Sequence, residues 1–125
     1  MAGNAEVAPA AVLAALREGQ PVPRATVRAA VRLTLGWLTA RAPGHSVEVR
    51  IPPVAAVQAI PGVRHRRGTP PAVVETDPAT WLALALGEAD WSDAVASGAV
   101  RASGERSDLA AYLPLQPPTS ENTAG

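Results

Sequence analysis

Between Trp81 and Leu113 three glycines, Gly87, Gly98 and Gly104, each close a short apolar run. Glycine is the residue that ends a helix or turns a strand with a positive φ, so three such stops in a short span dictate repeated reversals. Asp77-Pro78 opens the segment: the carboxylate suits an N-cap, and proline suits the first helical position. Trp81, Leu84 and Ala85 then share a face up to Gly87. Asp90 caps a second short helix, with Asp93 near its positive end, and Gly98 stops it. Val100 to Ser103 reads as a strand and Gly104 as a turn. Ser107 is placed to cap a last helix carrying Leu109, Tyr112 and Leu113, which Pro114 terminates. The order is helix, helix, strand, helix.

Upstream, Pro9 to Glu18 predicts a short helix with Val12, Leu13 and Leu16 on one side and Gly19 as its stop. Pro21-Val22-Pro23 forces an extended connection. From Arg24 to Arg41 the apolar residues Val27, Val31, Leu35 and Leu38 recur at helical spacing, while Arg24, Arg28 and Arg32 form a separate, solvated row. Trp37 widens the apolar stripe. Val47, Val49 and Ile51 alternate with Ser46, Glu48 and Arg50, the pattern of a half-buried strand. Pro52-Pro53 must lie at an edge, bulge or bend. Val54 to Ile60 reads as a second strand or as a continuation of the first across that bend, and Ala72 to Glu75 as a third short strand beyond an Arg-, Gly- and Pro-rich loop over 64–71. The predicted organisation is a flexible end at 1–8, one domain at 9–115, and a disordered tail at 116–125. Its class is α+β, with helices on one face of a mixed, mostly antiparallel sheet.

Composition excludes several chemistries. The absence of cysteine removes thiol catalysis, disulfides and thiolate metal sites. Only His45 and His65 are present, too far apart for a helical zinc motif, and no G-x-S-x-G elbow fixes a nucleophile. The expectation is a protein that is not an enzyme and has no metal or cofactor. The formal charge is zero and the basic patch lacks interleaved aromatics, so no nucleic-acid partner is expected. No apolar run approaches a membrane span and the N-terminus does not read as a signal peptide, so the expectation is cytoplasmic and soluble, without stable membrane insertion.

The pieces Trp81-Leu82-Ala83-Leu84-Ala85-Leu86-Gly87, Ala94-Val95-Ala96-Ser97-Gly98 and Ala99-Val100-Arg101-Ala102-Ser103-Gly104 resemble the C-terminal pattern of the type-2 sterol carrier family. With the Val47–Ile51 strand, Pro52-Pro53, the Arg66-Arg67-Gly68-Thr69-Pro70-Pro71 loop and Val73-Val74-Glu75-Thr76-Asp77, the match looks like its small bacterial, actinobacterial-type branch and spans about residues 24–115. The resemblance implies a sheet of about five strands and an apolar tunnel between sheet and helices. It also implies binding or transfer of a lipid or other hydrophobic small molecule there.

Trp37, Leu38, Trp81, Leu84, Val100, Leu109, Tyr112 and Leu113 are the candidate lining residues. Each is also suited to filling a core, the plainer reading for Trp81 and for Trp91, and the sequence leaves both roles open. Arg64, Arg66 and Arg67 are candidates for a phosphate or carboxylate headgroup, against the plainer reading of a solvated loop. A second functional reading is an interaction or accessory module with a collapsed cavity, partnering an enzyme or a second copy.

Overall fold

The structure, a computed structural model, describes residues 8–62, 72–104 and 107–118. Helix α1 (Pro9–Arg17) starts on Pro9, and α2 (Arg24–Arg41) follows the Pro-Val-Pro connection. The spacing of apolar residues in α2 is realised as expected, since Val27, Val31, Leu35 and Leu38 are buried and Arg24, Arg28 and Arg32 are exposed.

Four strands follow the sequence closely: β1 (Val47–Ile51), β2 (Ala55–Ala59), β3 (Ala72–Thr76) and β4 (Val100–Ser103). They form one sheet in the order β2-β1-β3-β4. β1 pairs antiparallel with β2, Val49 facing Val57, and parallel with β3, Val49 facing Val74. β3 pairs antiparallel with β4, Thr76 facing Val100. Pro52-Pro53 forms the turn of the β1–β2 hairpin, where neither nitrogen is asked to donate to the ladder. The expected fifth strand is corrected to four among the described residues. Only the family resemblance asked for a fifth; the strands read from the residues themselves number at most four.

One sheet face is apolar. Val47, Val49, Ile51, Val74 and Val100 join the helix residues in a single core. The other face carries Glu48, Arg50, Gln58, Glu75 and Arg101 toward solvent, as alternation requires. Arg50 donates to Glu48 at 3.0 Å and Arg101 to Glu75 at 2.8 Å. The hydrogen bond and charge of Glu48, with Glu75 adding a smaller attraction, hold the Arg50 guanidinium above its ordinary range.

Helix α3 (Pro78–Ala85) begins as read, with Asp77 Oδ1 accepting from the Thr80 amide at 2.8 Å. It differs in being buried all round: Trp81, Leu82, Ala83, Leu84 and Ala85 are all interior. Such a helix shows no single apolar stripe. Helix α4 (Trp91–Ala96) is capped by Asp90, whose Oδ2 accepts from the Asp93 amide. Gly87, Gly98 and Gly104 all have positive φ, between 81° and 90°. At Gly104 a Cβ would also lie 2.7 Å from the Ala72 Cα, so the turn passes directly against the start of β3.

The expected last helix is corrected to a single 3₁₀ turn at Ala110–Tyr112. Ser107 does not cap it; its hydroxyl donates back to the Gly104 carbonyl at 2.9 Å, and Asp108 Oδ1 accepts from the Ala110 amide instead. With Leu109 at its N-cap and a proline at 114, the segment has no room for a second turn, and so short a helix does not repay its nucleation. The chain then runs over α3, where the Leu115 amide donates to the Ala85 carbonyl at 2.8 Å.

Candidate functional site

The interior between sheet and helices is built around Trp81. Its Nε1–H donates to Thr34 Oγ1 at 2.9 Å, and the Thr34 hydroxyl in turn lies 2.9 Å from the Ala30 carbonyl of the same helix. The indole is thereby fixed to α2 by its one polar atom. Among the described residues no buried side-chain nitrogen or oxygen lacks a partner. Thr34 was not among the sequence candidates; its signal was a hydroxyl set in the apolar stripe of α2.

Of the eight candidate lining residues, five are interior: Leu38, Trp81 and Leu109 at 0% exposure, Leu84 at 1% and Val100 at 2%. A side chain with no accessible surface has no water-sized void beside it, so Leu38, Trp81 and Leu109 face packed neighbours. The other three, Trp37, Tyr112 and Leu113, are half-buried and packed against the same core. Arg64, Arg66 and Arg67, with His65, lie outside the described residues, as do residues 1–7 and 119–125. His45 is exposed, its Nδ1 2.7 Å from Gln58 Oε1.

Leu84 and Leu113 meet in one place. A cleft of about 400 Å³ opens between the end of α3, the start of α4 and the C-terminal segment, lined by Leu84, Gly87, Trp91, Leu113 and Pro114 among others. It exists because Gly87 turns the chain sharply and the segment after Leu109 crosses the same spot. The distance from the position of a Gly87 Cβ to Pro114 is only 3.2 Å. Trp91 and Pro114 complete a wall that the candidate set contained only in part.

The rim of this cleft is polar at Glu88 and Asp90, which also border a second cleft of about 560 Å³ over Ala79, Ala83 and Ala94. Arg17 of α1 reaches across to pair with Glu88. The lining is therefore mixed: Leu84, Trp91, Leu113 and Pro114 stand beside the carboxylates of Glu88 and Asp90, over a well-packed core. Among the described residues no group of three metal-ligating side chains is brought together, and no helix is long and apolar enough to cross a membrane.

No curated protein matches the chain. A family model described as "Bacterial SCP ortholog" matches residues 23–115, which takes in α2, the whole sheet and the cleft. The chain belongs to this bacterial sterol-carrier-like family.

Proposed function

We propose that this protein binds and transfers a lipid or other hydrophobic small molecule without chemically altering it. The observation that carries the reading is the cleft beside Leu84, Trp91 and Leu113, in a chain of the sterol-carrier-like family. The apolar body of the ligand enters there, under the segment that ends at Leu115. Deeper entry, toward Leu109, Trp81 and Leu38, requires that segment to lift. Exposing Leu109 and Leu115 costs about 1.5–3 kcal/mol each, an amount that burial of a ligand's own hydrocarbon offsets.

Titration with a fluorescent fatty acid, followed by displacement with unlabelled lipids, tests this. Saturable, displaceable binding at micromolar ligand is expected. Linear, non-displaceable fluorescence would count against a carrier.

A second reading is favoured by the completeness of the packing. Val31, Leu35, Leu38, Trp81 and Leu109 have no exposed surface, which also suits an accessory module with a closed interior that works through a protein partner. Specific capture of an enzyme by a lipid-free preparation would select that reading.

A further inference from the structure

The sheet ends at β2. In the order β2-β1-β3-β4 this strand pairs on one side only, and among the described residues no strand pairs with its outer edge. Along a strand every second residue turns its N–H and C=O outward, so the edge offers a row of unmade backbone hydrogen bonds. The residues that usually blunt such an edge are missing: Ala55-Ala56-Val57-Gln58-Ala59 holds no charge and no proline. The apolar face of the sheet also runs out here. Val49 and Ile51 of β1 are fully buried, whereas Val57 and Ala55 opposite them are only half-buried.

Helix α2 places cations above this edge. Of the four strands, α2 packs most closely on β2. Its Thr34 flank is turned toward α3, where the Trp81 indole bonds to it; since α2 covers the edge strand, α3 lies on the inner side. The exposed Arg24, Arg28 and Arg32 fall about 80° to 160° round the helix from Thr34, all on the other flank, and so overhang the open side of the sheet. The Ile60 amide donates to the Ala42 carbonyl at 2.7 Å, pinning the end of α2 to the end of β2. Helix and strand therefore run the same way, and the arginines gather toward the Ala55 end of the edge. α2 contains no aspartate or glutamate, and among the described residues none of its arginines enters an ion pair. Arg24 begins the helix without a side-chain cap, adding charge to the positive end of its dipole.

We infer that the outer edge of β2 takes up an extended acidic segment of a partner protein as an added strand. Backbone hydrogen bonds to β2 hold the segment, and its alternate side chains point toward the helices. Glutamate suits those positions: its methylenes cover Val57 and Ala55, and its carboxylate reaches the arginine row. Same-face residues of a strand repeat every ~6.8 Å and the arginines every ~6 Å, so successive pairs stay in step. A second copy of this chain does not fit the edge. It would bring its own α2 over the adjoining strand, about 5 Å away, where packed helices need about 8–10 Å. The inference does not rest on the carrier reading, since the cleft is lined by no residue of β2 and by none of these arginines.

Fluorescence anisotropy with a labelled octapeptide of alternating glutamate and threonine tests it. Saturable binding is expected at low salt, weakened about tenfold by about 0.5 M salt, and the lysine–threonine counterpart should not bind. A version methylated at every backbone nitrogen keeps its carboxylates, cannot donate to the edge, and should not bind either. Amide chemical-shift changes on binding should concentrate on Ala55 to Ala59. Joint Arg28→Gln and Arg32→Gln, both at exposed positions, should weaken binding about tenfold while circular dichroism and fatty-acid titration stay unchanged. Absence of saturable binding, equal binding of the methylated peptide, shifts that avoid β2, or full affinity in the folded double variant would overturn the inference.

Discussion

The Trp81 indole donates to Thr34 Oγ1 at 2.9 Å, joining α3 to α2 through a hydrogen bond between two fully buried side chains. Removing one partner leaves the other unsatisfied in a dry interior, where the loss exceeds that of an exposed bond. Thr34→Val should lower unfolding free energy by about 1–3 kcal/mol, read as a shift in the urea midpoint with unchanged slope. The Thr34→Val, Trp81→Phe double variant should lose less stability than the sum of the two single losses. Strict additivity would show that the bond contributes nothing.

Two glycines should respond in opposite directions. Gly44 sits where a Cβ would lie 2.1 Å from the Ile60 carbonyl oxygen, at φ +152°. The Ile60 backbone is itself held at φ +74°, its amide bonded to the Ala42 carbonyl and its carbonyl to the Ser46 amide and hydroxyl. Neither side of that contact is free to move, so Gly44→Ala should prevent stable folding. Gly36, within α2, has nothing within 4 Å of a Cβ position. Gly36→Ala should raise stability by about 0.5–1 kcal/mol in thermal or urea melts.

Asp77 accepts from both the amide and the hydroxyl of Thr80, at 2.8 and 2.9 Å. Asp77→Ala should cost about 1 kcal/mol by denaturant titration. Glu75→Gln, which breaks an ion pair whose Arg101 side chain is 77% exposed, should cost less than about 1 kcal/mol. The raised Arg50 pKa gives stability that is fully present below the unfolded-state value and is lost only as pH rises through the folded one. Melting temperature should therefore show no Arg50 transition across the neutral range.

At the cleft, Leu113 is half-buried at the edge of the core, so a polar replacement costs far less stability than one at Leu84 or Leu109. Leu113→Asp should weaken fatty-acid binding by about tenfold or more while the protein stays folded, with only a modest fall in its urea midpoint.

Much of the fold was legible in local chemistry. The caps at Asp77 and Asp90, the Val47–Ile51 alternation and the stops at Gly87, Gly98 and Gly104 depend on neighbours in the chain, and each stands where it was read. The terminal helix was not, because Ser107 turned back to Gly104 and left Asp108 to start a single turn. Nor did Trp81 announce its role: burial on every side of α3 depends on α1, α2 and the Leu115 crossing, all distant in sequence. The cleft was half legible. Leu84 and Leu113 carry an apolar signal, but Pro114 reads only as a helix stop until the turn at Gly87 brings it close.

The carrier reading is tested most directly by native mass spectrometry of gently purified protein, followed by organic extraction. It predicts a population heavier than the 12.8 kDa chain by the mass of a lipid or other hydrophobic molecule, recovered in the extract and reloaded on return. A single apo mass, an empty extract and no uptake of added lipid would contradict it.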